Sequence, residues 1–252
     1  MERRRVRGAF SVPSAPDGAV DRQLIAAAAA IIASSFVLGC TLLPGTELTQ
    51  SPAGDNLTRA FEWKYNGRTY RWEVPIPAEL LDYYRSLPRT RDYSEYVKDS
   101  HDDQYLALLC DKLSQAEVES DWSGKIDFVL AFVQSLKYAP DETTGFDEYP
   151  RYPIETLVEE GGDCEDTSIL FASIVGELGY GTVLLRFDDS RHMAAGVRIS
   201  DDVIADWPKG YSLTYYQDEG KYYAYCETTG SGWRIGEKPG WITDTGAAII
   251  HT

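Results

Sequence analysis

The chain has 252 residues, 43% of them hydrophobic and 25% charged, which is long enough for one well-packed domain and too apolar for global disorder. The 40 acidic residues outnumber the 24 basic ones, giving a formal charge of −16 and arguing against a nucleic-acid partner, since phosphate binding needs a basic footprint. The 4 cysteines are too few to staple a small fold with disulfides.

Residues 1–23 carry Arg3, Arg4, Arg5, Arg7 and Arg22 and lead into an apolar run from Leu24 to Leu43. A basic region followed by an apolar one is an export signal. The run contains Val37-Leu38-Gly39-Cys40, which resembles a lipobox, the signal-peptide end whose cysteine is lipid-modified. The alternative is an uncleaved membrane anchor, because about 20 apolar residues span a bilayer. Either places the folded part outside the cytoplasm and ties it to a membrane, through Cys40 or through an N-terminal helix. Residues 1–39 hold five Arg and three acidic residues, so the remainder carries a formal charge of −18, a surface suited to high salt. Residues 44–60 read as a flexible linker rich in Pro, Gly, Ser and Thr.

From Phe61 to Val74 aromatic and polar residues alternate around Asn66-Gly67, a β-hairpin signal that Pro75 and Pro77 are expected to end. Helices are predicted over 78–87, over 102–119, and from an N-cap at Asp121 through Ile126, Val129, Leu130 and Val133. Residues 138–153 read as a loop, and a further helix runs from Cys164 to a C-cap at Gly179. Strands are predicted at about 181–186, 193–199, 203–206 and 222–227. A hairpin and helical lead-in over 61–120 then precedes a core over 121–252, in an α+β class.

The chemistry-bearing residues follow a definite order. Gly161-Gly162-Asp163-Cys164-Glu165-Asp166 opens a helix, where the macrodipole and free N–H groups favour a thiolate, so the Cys164 pKa is expected to fall. The neighbouring carboxylates would oppose that ionisation and are expected mostly to point away. His192 follows on a strand and is the base best placed among the 3 histidines. Glu227 ends a later strand, where it could accept the His192 Nδ1–H bond. Each alone is ordinary: an inert buried cysteine, a structural histidine, a surface carboxylate. Cys110 and Cys226 read as small buried residues rather than a disulfide pair. With no close-spaced ligand pair such as C-x-x-C, no metal is expected.

Taken together, the stretches 132–138, 152–157, 161–168, 191–197, 225–230 and 232–237 resemble the transglutaminase-like superfamily within the papain-like fold, closest to prokaryotic, largely archaeal, members. The resemblance implies a helix-borne cysteine packed on an antiparallel sheet, with Cys164 as nucleophile, His192 as base and acid, and Glu227 as orienting carboxylate. Glu stands where many relatives carry Asp. It implies thioester formation on a protein or peptide amide, resolved by water or an amine, and needs no cofactor. A side-chain oxyanion donor is expected from upstream, Gln134 or Tyr138. Tyr149, Tyr152 and Trp233 are candidates for the substrate cleft, the alternative for each being ordinary packing. The expected partners are a protein or peptide at the cell surface and the membrane. The alternative function is a non-catalytic extracytoplasmic binding or scaffold module of the same fold.

Overall fold

A computed structural model describes residues 56–116, 122–141, 149–207 and 210–252. Cys40, the apolar run, residues 44–55 and the N-cap position Asp121 lie outside the described residues. No helix among those described is long and apolar enough to cross a membrane.

The chain opens with the hairpin β1 (Asn56–Tyr65) and β2 (Arg68–Pro77). Asn66 and Gly67 both take positive φ, 47° and 75°, as a type I′ turn requires. The strands run longer than predicted at both ends, into the stretch read as linker and through both prolines. The sheet has two strands, so each strand keeps an open edge where a missing N–H costs no ladder bond. Alternation buries Phe61, Trp63, Val74 and Ile76 on one face.

Four helices follow: α1 (Ala78–Ser86), α2 (Ser94–Lys98), α3 (Asp103–Ser114) and α4 (Trp122–Val133). The hairpin packs its aromatics on α4, with Phe61 at 5.3 Å and Trp63 at 5.1 Å from the Phe132 ring. A two-residue strand, β3 (Lys137–Tyr138), comes next, then α5 (Pro153–Glu159), β4 (Gly161–Gly162) and α6 (Cys164–Glu177). Helix α5 begins at the last residue of the expected loop, with Pro153 at its first position, where a missing N–H is harmless.

The remaining elements are β5 (Thr182–Phe187), β6 (His192–Ile199), α7 (Asp201–Ala205), β7 (Tyr215–Asp218), β8 (Lys221–Cys226) and β9 (Ala248–His251). The five strands form an antiparallel sheet in the order β7-β8-β6-β5-β9. Helix α6 packs against one face of β6, burying Ile169, Leu170 and Ile174 over Ala195 and Val197. The opposite face buries Val183, Leu185, Ala194 and Tyr225, so β6 is covered on both sides. The fold is α+β, with the cysteine helix on an antiparallel sheet.

The predicted strand over 203–206 is instead helical. Ser200 caps α7 by accepting the Val203 N–H at 3.5 Å, and Asp201 and Asp202 suit the positive end of a helix.

Candidate active site

Cys164 is the first residue of α6 and is half-buried. Three local features hold it there. Strand β3 pairs in parallel with β4, Lys137 opposite Gly161 and Tyr138 opposite Gly162. A Cβ on Gly161 would come 2.4 Å from the Lys137 carbonyl oxygen, and one on Gly162 would come 2.5 Å from the Asp166 Cβ. Only glycines fit this approach. Finally, Asp163 and Asp166 cap the helix reciprocally, Asp166 accepting the Asp163 N–H at 3.2 Å.

Arg151, which no sequence pattern singled out, completes the support. It is a fully buried guanidinium. Its Nη1 pairs with Asp166 and, at 3.1 Å, with Asp141, while its Nε reaches Glu159 at 2.8 Å. The Arg151 N–H also donates to Asp166 Oδ1 at 2.7 Å. Asp166 therefore points away from Cys164 and joins the helix start to the chain before α5.

Glu165 does not point away. The Cys164 thiol donates to its Oε2 at 3.1 Å. Burial, then the Glu165 charge and hydrogen bond, push the thiol above its usual range, while the Met193 backbone N–H works the other way. This reverses the expectation of a lowered pKa. A helix N-terminus contributes about 0.3–2 kcal/mol, whereas desolvation alone shifts a buried group by up to about 3–5 pKa units. Asp163 is itself raised to about 8, chiefly by burial and the nearby Glu165.

His192 is the first residue of β6 and is buried. Its Nε2 lies 3.1 Å from Glu227 Oε2. Met193, whose N–H acts on the Cys164 sulfur, is the next residue along the strand. Glu227 is fully buried one residue past β8. Its Oε2 also accepts the Tyr225 hydroxyl at 2.5 Å, and its Oε1 accepts the Thr229 N–H at 2.9 Å and hydroxyl at 2.6 Å. Burial works to raise this carboxyl, but the hydrogen bond and charge of His192, with Thr229 and Tyr225, hold it below its ordinary value. An ionised carboxylate only accepts, so the shared hydrogen is donated by His192 Nε2. The expected contact through Nδ1 is thus replaced by one through Nε2.

The other predicted residues divide. Tyr138 is exposed and within electrostatic reach of Cys164. Gln134 is not free to donate to a substrate, because its amide hydrogens go to the backbone carbonyls of Glu227 and Trp233 at 2.8 and 2.9 Å. Tyr149 bonds Arg89 and, at 3.1 Å, Glu155, while Tyr152 packs between Tyr84 and Tyr96 at 4.5 and 4.6 Å. Both serve packing. Trp233 lines a groove of about 700 Å³ with Trp63, Asp127 and Gln134, and none of Cys164, His192 and Glu227 lines that groove. Cys110 and Cys226 are buried free thiols.

Trp241, exposed to 56%, sets its ring edge-on to His192 at 4.8 Å and was not foreseen. An isolated tryptophan after Gly240 has no periodicity to mark it. Among the described residues, Asp141, Asp163 and Glu165 bring carboxylate oxygens within 4.8 Å of one another and could hold a hard cation beside the thiol. Asp218, Glu219 and His251 form a second such group at the surface.

No family model matches the chain, and no curated protein matches it. Among solved structures, calcium-bound LapG of Legionella pneumophila is 16% identical with a TM-score of 0.34, over 68% of this chain and 80% of that one. EGTA-treated LapG from the same organism gives 16% and 0.31, over 55% of this chain and 69% of that one.

Proposed function

We propose that the protein is a transglutaminase-like cysteine enzyme that forms a thioester on a protein or peptide amide. The observation that carries this reading is the buried His192–Glu227 hydrogen bond at 3.1 Å, on a strand packed against the helix that Cys164 starts. In the reaction the Cys164 thiol passes its proton to His192 Nδ1 as sulfur bonds to the carbonyl carbon. The carbonyl electrons collapse back, the C–N bond breaks, and His192 returns the proton to the departing amine. Water or a second amine then attacks the thioester, His192 takes its proton, and as the C–S bond breaks His192 returns that proton to the Cys164 sulfur. Glu227 keeps the proton on Nε2 and stabilises the imidazolium. The Cys164 backbone N–H, at the open end of α6, and the exposed Tyr138 hydroxyl are the proposed oxyanion donors.

The proposed location is outside the cytoplasm, tethered through a lipidated Cys40 or the apolar run of 24–43, with a polypeptide at the cell surface as substrate. One observation favours a second reading, a binding module without turnover: the thiol is bonded to Glu165, which opposes its ionisation. Iodoacetamide labelling separates the two. In the enzyme, Cys164 alkylates at neutral pH far faster than Cys110 and Cys226, and His192→Ala slows it at least about tenfold. Equal rates for the parent and His192→Ala would leave the binding reading standing.

A further inference from the structure

We propose that Gln134 is a positioning residue for Glu227 and, through it, for His192; this rests on the reading of the site just given. Gln134 is the residue after α4 and is 5% exposed. Its Nε2 donates to the Glu227 carbonyl at 2.8 Å and to the Trp233 carbonyl at 2.9 Å, while its Oε1 accepts the Gly232 N–H at 3.1 Å. Both amide hydrogens are used, and a planar amide fixes the angle between them. One side chain therefore sets the separation between the end of β8 and the 232–233 turn.

The bond to Glu227 matters because of what the rest of that residue does. Its carboxylate is gripped by Tyr225 and Thr229, but both follow the same stretch of chain as Glu227 itself. Gln134 ties the Glu227 carbonyl to a different element, across 93 residues of sequence. Thr228 is held on α6 by Thr167 and Ser168 at 3.0 Å, and Cys226 pairs with Ala195. Without Gln134 the strand end therefore stays in place, but the buried Glu227 carbonyl loses its donor, and the peptide between these anchors can rotate with the carboxylate. Hydrogen bonds weaken steeply with misalignment, so the His192–Glu227 contact at 3.1 Å leaves little margin. Gln134 acts through Glu227; it does not touch the reacting atoms.

Two variants of the full chain test this, Gln134→Met and Gln134→Glu. The readout is iodoacetamide labelling across pH 5–9 with adducts mapped by mass spectrometry. Cys110 and Cys226 are buried, so their labelling reports loss of fold in the same sample. Methionine keeps length and volume but cannot donate, and Cys164 is expected to label about tenfold more slowly wherever the parent reacts fast. The carboxyl of Gln134→Glu donates one bond when protonated and none when ionised, where it also faces two carbonyl oxygens. Its rate relative to the parent is therefore expected to be near one at pH 5 and to fall about tenfold by pH 8. A parent-like pH profile in both variants, with Cys110 and Cys226 protected, would overturn the proposal. So would labelling of all three cysteines together, which would make Gln134 a residue of general stability. His192→Ala, run alongside, isolates the underlying reading: if it labels like the parent, the Cys–His pair itself is rejected, whatever the Gln134 variants do.

Discussion

At the scale of single residues, the environment of Cys164 sets what its thiol can do. Glu165 accepts a hydrogen bond from the thiol at 3.1 Å and, after burial, is the main group pushing the thiol's pKa up. Removing that charge removes an opposing term, so Glu165→Gln is expected to shift the labelling midpoint of Cys164 to lower pH by about one unit, the equivalent of about 1.4 kcal/mol. The rate at pH 7 should rise severalfold, measured by alkylation over pH 5–10. An unchanged midpoint would mean that Glu165 does not govern the thiol. The positions of Cys164, His192 and Glu227 were legible because a cysteine at a helix start, a histidine opening a strand and an acid ending another leave marks on short stretches of sequence. The surroundings were not. Whether Glu165 turns toward or away from its neighbour is a rotamer choice, and Gln134 finds its partners 93 and 99 residues away on backbone atoms that carry no side-chain signature.

At the scale of elements, Arg151 joins the end of one helix to the start of the next. It reaches Glu159 of α5 and Asp166 of α6, and draws in Asp141 from the chain after β3. Removing one partner from a buried ion cluster costs about 3–5 kcal/mol, because the charges left behind have no compensation. Arg151→Leu is expected to lose about that much in urea denaturation, whereas Arg151→Leu combined with Asp166→Asn should recover part of it. Equal losses in the two would show that charge is not what the arginine supplies. The hairpin and α6 could be read from sequence because an Asn-Gly turn and a long buried helix are strong local signals. Helix α7 could not, since Val203, Ile204 and Ala205 fit a strand or a helix equally and Ser200 decided the matter. Strands β7 and β9 are four residues each, too short for alternation to show.

For the whole molecule, buried carboxyls set the response to pH. Asp102 is 2% exposed and its Oδ2 has no hydrogen-bond partner among the described residues. Burial, with Asp99 and Asp103 adding to it and Tyr84 opposing, lifts this carboxyl to about 7. Asp166 is lifted to about 7 by burial and Asp163, against the pull of Arg151. For groups raised in the fold, the folded state binds the extra protons. Their stabilising contribution is complete below the unfolded value of 3.8 and is lost as pH rises through about 7. Asp102→Asn is therefore expected to stabilise the protein at pH 8 and to change little at pH 4, read from urea midpoints at the two pH values. A gain of equal size at both would assign the effect to packing.

The long reach of the Gln134 bonds also has a bearing on how the protein is made. The amide ties residue 134 to 227 and 233, and Asp127 accepts the Ile235 N–H across 108 residues. A ribosome that has delivered the cysteine helix has not yet delivered the acid, nor the turn that braces it. Through that interval the nascent chain carries a thiol with no completed partner set. On the reading proposed above, the thiol would thus meet its histidine and acid only late in synthesis, by the order in which the parts emerge.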